Sequence, residues 1–336
     1  MNRSKFETPF SPIDSSLLFT RGDTNDFRLG DIGRIAPEIK TAADADDLFS
    51  ELTPHIAILG YPDDDGIKAN GGRPGAKEAP DRIRKYLYRM TPPAFLPETA
   101  SHTAILDVGN LNGAELTLEA RHSAAEAIVS AALRGGHRIV SLGGGHDYGY
   151  PDAVAYARLA QEKGVRPLII NFDAHLDVRS DQNGINSGTP FYRLLKAVPD
   201  AEVIAVGLQA QCNSRHHRDW LIEHGGSCCF EEERHSSKRS LIETLMSVLG
   251  DRALKRQPIF ISIDIDGFSS AVAPGASQSW PTGFSPDAFL EAFNWLLARF
   301  DVAHIGLYEV SPPLDVDDRT SRLAALIAYR FMFQLF

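Results

Sequence analysis

From residue 55 onward the chain repeats one pattern, a short and almost continuously apolar run followed by a longer amphipathic stretch. The runs occupy 55–61, 103–108, 138–142, 167–172, 202–208, 227–230, 259–265 and 302–310, and they are rich in Ile and Val. Runs with so little polar alternation predict strands covered on both faces. Between them, the Ala-rich stretch 119–134 ends at Gly135-Gly136, which predicts a helix with a glycine stop. Ser285-Pro286-Asp287 opens a periodic stretch reaching Phe300, with proline in the first turn. Residues 318–333 read as a closing helix.

Strands alternating with helices predict an α/β fold with a parallel sheet and helices on both faces. Residues 1–50 show no long periodic segment, only scattered Pro, Ser, Asp and Gly. The expected organisation is therefore an irregular N-terminal extension, 1–50, followed by a single α/β domain, 51–336. A length of 336 residues alone would suggest about two domains. No repeat or low-complexity linker divides the chain, which favours one.

Composition narrows the function. With 43% hydrophobic and 23% charged residues there is ample material for a core, so disorder is not the main state. The 34 Lys and Arg fall short of the 44 Asp and Glu by ten charges. That balance argues against a nucleic-acid partner, which needs clustered cations. No window approaches about 18 consecutive apolar residues, so no membrane span is expected. The first seven residues do not read as a secretory signal. The three cysteines, Cys212, Cys228 and Cys229, are odd in number and two are adjacent, so no disulfide framework is implied. A cytoplasmic setting is expected.

Three of the predicted strands end in the same chemistry. They give SLGGGHD (141–147), NFDAHLD (171–177) and SIDIDGF (262–268). On extended backbone, residues two apart share a face. Asp173, His175 and Asp177 therefore point one way, as do Asp264 and Asp266, while Ala174, Leu176 and Ile265 point the other. Four carboxylates crowded at the end of a buried sheet repel one another and lose hydration. Two divalent cations would supply +4 against the −4 of Asp173, Asp177, Asp264 and Asp266, with His146 and His175 adding neutral nitrogens. Mixed N/O ligation without thiolate suits Mn²⁺ and leaves Zn²⁺, Ni²⁺ and Fe²⁺ open.

These segments resemble the arginase/agmatinase (ureohydrolase) superfamily of binuclear manganese hydrolases. The resemblance runs through most of the chain and extends to GYPDDDGIKANGGRPGAKEAPDRIRKYL (60–87) and YEVSPPLDVDDRTSRLAA (308–325). It implies a three-layer α/β/α domain with a mostly parallel eight-stranded sheet, two Mn²⁺ per subunit, and a homo-oligomer acting on a small molecule. It assigns His146, Asp173, Asp177 and Asp264 to one metal. It assigns Asp173, His175, Asp264 and Asp266 to the other, with Asp173 and Asp264 bridging. By the same resemblance Glu309 binds the cationic head of the substrate, and Asp177 passes a proton from the attacking water to the leaving nitrogen.

Within the family, three features are similar to the formimidoylglutamases, which hydrolyse N-formimidoyl-L-glutamate to L-glutamate and formamide in histidine degradation. Ser187, in NSGTPF (186–191), stands where agmatinases carry a proton-shuttling histidine. Arg179 occupies a position that is asparagine in arginases, and its guanidinium could grip a substrate carboxylate. GYPDDDGIKANGGRPGA and VAPGAS resemble formimidoylglutamase segments, although QSW (278–280) departs from their pattern. The alternatives are a guanidino-compound hydrolase releasing urea and a non-catalytic metal-binding homologue. His216-His217 is expected on a solvated helix face, and Cys228-Cys229 inside a strand.

Overall fold

A computed structural model describes residues 7–23, 25–53, 55–96, 104–254 and 256–334. Its strands are β1 (Glu7–Ser11), β2 (Gly33–Ile35), β3 (Ile39–Thr41), β4 (Ile56–Gly60), β5 (Ile105–Leu111), β6 (Arg138–Leu142), β7 (Leu168–Phe172), β8 (Glu202–Leu208), β9 (Ser227–Phe230), β10 (Pro258–Asp264) and β11 (Asp301–Tyr308). Eight of them run parallel in the order β5-β4-β6-β11-β10-β7-β8-β9. These eight arise from the eight apolar runs of the sequence. Thr103, at the head of the second run, lies outside the described residues.

The N-terminal region differs from the expected irregular extension. Its first six residues lie outside the described residues, but the rest adds strands to the sheet. β2 pairs in parallel with residues 105–107 of β5, and β1 pairs antiparallel with residues 110–111 of β5. β3 then pairs antiparallel with β1. A helix follows at Ala42–Glu51, capped by Thr41, whose side chain accepts the Asp44 N–H while Asp44 returns to the Thr41 N–H. The reason is physical. The free edge of β5 offers unpaired N–H and C=O groups, and strands of three to five residues satisfy them without a detectable hydrophobic period. Residues 1–50 are thus partly woven into the main sheet rather than appended to it.

Alternate residues of each strand feed two separate cores. On one face Leu168, Ile170, Phe172, Ile261 and Ile263 pack with helices Ala79–Leu87, Leu241–Leu249, Pro286–Arg299 and Arg319–Phe333. On the other, Ile169, Val203, Ala205 and Phe260 pack with helices Leu118–Arg134, Gly149–Glu162 and Pro190–Ala197. This is the three-layer arrangement, and it explains why the runs lack polar alternation. The predicted helix signals act as expected. Ser285 accepts the Ala288 N–H with Pro286 in the first turn, and Leu118–Arg134 ends at Gly135.

Candidate metal centre

The central strands β6, β11, β10 and β7 are neighbours in the sheet, and their carboxyl ends supply the site. After β6, Gly143 and Gly144 allow a close approach. A Cβ on Gly143 would stand 2.3 Å from the Tyr308 ring, and one on Gly144 1.7 Å from the Asp63 carbonyl oxygen. The glycine run therefore packs the β6 exit against its neighbours, which is more than a tight turn. It delivers His146, fully buried, to the middle of the cluster.

Nδ1 of His146 lies 3.1 Å from Asp173 Oδ2, 2.9 Å from Asp177 Oδ2 and 3.1 Å from Asp264 Oδ2. Nδ1 of His175 lies 3.4 Å from Asp173 Oδ1 and 3.2 Å from Asp266 Oδ2. Ligand atoms within 4.8 Å of one another define two groups, His146/Asp173/Asp177/Asp264 and Asp173/His175/Asp266. All six positions singled out from the sequence converge, and Asp173 belongs to both groups. Asp264 stands with the first group only. Its Oδ1 accepts the Asp266 amide N–H at 2.9 Å, which turns the other oxygen to His146.

The donor set fits divalent cations. His146 Nδ1 and Asp266 Oδ1 are buried without a hydrogen-bond partner, although three carboxylate oxygens surround His146 Nδ1. Burial raises Asp264, Asp266 and Asp177, and neighbouring carboxylates add to it: Asp266 and Asp173 for Asp264, and Asp173 for Asp177. Burial also disfavours the charged imidazoles, yet the surrounding carboxylates outweigh it and hold His146 and His175 well above the usual range. In Asp173 the two neighbouring imidazoles outweigh burial and lower its carboxyl. Without cations the cluster resolves its repulsion by holding protons. Metal ions would do so by coordination.

Glu309 follows β11 directly. Burial pushes its carboxyl up to about 8, against the His146 backbone N–H, which donates to Oε1 at 3.0 Å. Glu309 and Asp177 both hold left-handed backbone, with φ of 63° and 51°. Such strain costs about 1–3 kcal/mol in a residue with a side chain and collects at functional sites. Beyond Glu309, Asp315 receives the N–H groups of Thr320 and Ser321 at 3.1 and 3.0 Å, which starts the closing helix.

A cavity of about 280 Å³ opens over the cluster. It is lined by His175, Asp177, Asp264, Asp266 and Glu309, and farther out by Arg179, Ser187 and Trp280. Arg179 donates from Nη1 to Asn70 Oδ1 at 2.7 Å, and Asn70 Nδ2 donates to Ser187 Oγ at 3.1 Å. Arg73 is structural. Its guanidinium donates to the carbonyls of Ala276 and Ser277, so the NGGRPGA and APGAS segments hold each other. His216 is exposed as expected, whereas His217 is half-buried and lines the cavity. Cys229 is buried in β9 and Cys228 half-buried.

Sequence reasoning passed over Cys212 and His217 at the cavity wall, and two residues behind the ligands. Ser262 Oγ stands 2.8 Å from His146 Nε2, and Asn171 Nδ2 donates to Asp173 Oδ2 at 3.1 Å. The signal for these two was present. Each is a polar residue in an apolar run, two positions before a ligand and so on the same face.

The sequence profile of the arginase family matches residues 54–334. A formimidoylglutamase of Geobacillus thermodenitrificans is 31% identical over 282 residues, 83% of this chain and 85% of the relative. One of Staphylococcus aureus is 27% identical over 277 residues, 82% of this chain and 85% of the relative. The crystal structure of formimidoylglutamase from Bacillus subtilis superposes with a TM-score of 0.80 at 26% identity, covering 94% of each chain. Trypanosoma cruzi formiminoglutamase, crystallised with two Mn²⁺, gives 0.74 at 27% identity, covering 84% of this chain and 93% of that one.

Proposed function

Because the chain belongs to the arginase family, we propose that this metal-dependent hydrolase splits N-formimidoyl-L-glutamate into L-glutamate and formamide, using two Mn²⁺ per subunit. The observation that carries this reading is the layout of charge in the cavity. Its carboxylates are those of Asp177, Asp264 and Asp266, which belong to the cluster, and of Glu309 next to them, while Arg179 stands at the exposed rim. A substrate with a cationic amidine head and an anionic tail complements both ends. Agmatine ends in an amine that would face Arg179 with no carboxylate nearby. The names of the relatives point the same way.

In this reading His146, Asp173, Asp177 and Asp264 hold one cation, and Asp173, His175 and Asp266 the other. When bound, the metal pair supplies the Lewis acidity that makes water nucleophilic near neutral pH. Glu309, oriented by the His146 N–H, accepts charge-assisted hydrogen bonds from the amidinium and holds its carbon over the centre. Asp177, turned to the cavity by its left-handed backbone, accepts a proton from the attacking water and returns it to the departing nitrogen. The C–N bond to glutamate breaks, and the carbon leaves as formamide. Ser187, tied to Asn70, lines the wall, and its hydroxyl is too weak an acid for proton shuttling.

The metal-ligating residues, Glu309 and Arg179 all lie within this one chain, and a homo-oligomer is proposed from the family resemblance. No helix among the described residues is long and apolar enough to cross a membrane. The three cysteines are free, which fits the cytoplasmic setting proposed for the enzyme.

The test is product analysis. Manganese-loaded protein is incubated separately with N-formimidoyl-L-glutamate, arginine, agmatine and guanidinobutyrate, and formamide and urea are measured. Formamide from the first is expected. Urea without formamide would contradict the substrate, and two bound metals with no turnover would contradict catalysis.

A further inference from the structure

The cavity has a second group at its rim that can carry positive charge. His217 lies in the first turn of the helix Arg215–Glu223, whose start is capped by Ser214 Oγ accepting the His217 N–H at 3.2 Å. Leu221, four residues on, is fully buried, and residues four apart share a helix face. The His217 side chain therefore turns toward the protein body and lines the cavity with Arg179, whereas its neighbour His216 is exposed. Burial, then the charge of Arg179 and of His216, hold the imidazole below its usual range. The Arg179 charge thus reaches it across two different strand exits.

Among the described residues neither group has an anionic partner. Arg179 donates to the neutral Asn70 side chain, and the carboxylates lining the cavity are those of the metal cluster and Glu309. A guanidinium and an imidazole that line one cavity offer hydrogen-bond donors that a bound anion can use. A single substrate carboxylate would answer only one of them.

We propose that His217 determines specificity by binding the distal carboxylate of a dicarboxylate amidine, while Arg179 binds the proximal one. The assignment follows from where each enters. Arg179 is two residues beyond Asp177, on the wall that supplies a metal ligand. His217 comes from the helix after β8. In N-formimidoyl-L-glutamate the α-carboxylate lies beside the reacting nitrogen and the side-chain carboxylate at the far end. The inference rests on the substrate reading above and deepens it. A neutral imidazole donates one N–H to a carboxylate, and a docked carboxylate favours the doubly donating imidazolium.

Binding and turnover together test it. L-Glutamate and L-glutamine, which differ only at the distal group, are titrated calorimetrically into the manganese-loaded chain. The wild type is expected to bind glutamate about tenfold or more tightly than glutamine. His217→Gln should lose about tenfold for glutamate and little for glutamine, and raise KM for N-formimidoyl-L-glutamate about tenfold with a much smaller fall in kcat. His217→Arg, which keeps a cation there, should restore most of the glutamate affinity. Equal losses for both ligands in His217→Gln, or no loss at all, would overturn the proposal. Failure of the substrate reading looks different. The wild type would make no formamide, yet would still prefer glutamate through His217.

Discussion

Ser262 Oγ stands 2.8 Å from Nε2 of His146, and this contact fixes which nitrogen of the ring faces the carboxylates. Donating Nε2–H to the serine would leave Nδ1, once it gives up its proton, as the atom that meets a metal, and it is within 3.1 Å of Asp173, Asp177 and Asp264. The ring is also stacked on Tyr308, with centroids 4.9 Å apart, and Tyr308 donates to Asp152 at 2.5 Å. Partners behind a ligand typically account for about 10–100-fold in metal affinity. Ser262→Ala should therefore weaken binding of the first metal by that factor while the fold persists. Calorimetric manganese titration checks it, and wild-type affinity in the variant would remove Ser262 from this role.

Glu309 should matter to turnover and not to metal content. A charge-assisted hydrogen bond is worth about 1.5–3 kcal/mol, and each 1.36 kcal/mol is about tenfold in rate. Glu309→Gln should lower kcat/KM about a hundredfold and still bind two metals. Loss of a metal in that variant would show that Glu309 acts as a ligand.

Arg179→Ala should raise KM for N-formimidoyl-L-glutamate about tenfold or more and leave kcat much less affected, since a carboxylate remote from the reacting carbon is held equally before and during the reaction. Steady-state kinetics decide it. An unchanged KM would return Arg179 to its contact with Asn70 alone.

The metal-free protein should lose stability as pH rises. Burial holds the carboxyls of Asp177, Asp264, Asp266 and Glu309 above their ordinary values, Glu309 up to about 8. A group raised in the fold contributes fully below its unfolded value, 4.5 for Glu309, and loses that contribution as pH climbs to about 8. The raised imidazoles of His146 and His175 act with the same sign, and the lowered Asp173 opposes them. The metal-free protein should melt at a lower temperature near pH 8 than near pH 5. Saturating Mn²⁺ should flatten the difference, because coordination replaces the protons. A metal-free melting temperature that rises over that interval would contradict this electrostatic picture of the cluster.

What could be read from the chain was what has a period. The eight apolar runs became eight neighbouring parallel strands because strands buried on both faces must be apolar throughout. The ligand triplets were legible because alternation on a strand puts Asp173, His175 and Asp177 on one side. β1, β2 and β3 were not, since three to five residues filling a free edge need no pattern of their own. His217 was missed because helix Arg215–Glu223 is mostly polar, and the face that meets the cavity is marked by a single buried residue, Leu221. Asn70 meets Arg179 across 109 residues of sequence, a contact made by the packing of loops rather than by spacing.

The most direct measurement is competition. N-Formimidoyl-L-glutamate and agmatine are mixed at equal concentration with a small amount of the manganese-loaded protein, and formamide and urea are followed together. Their initial ratio is the ratio of the two kcat/KM values. The geometry of Glu309, Arg179 and the metal cluster predicts formamide in about hundredfold excess or more. Urea equal to or exceeding formamide would contradict it.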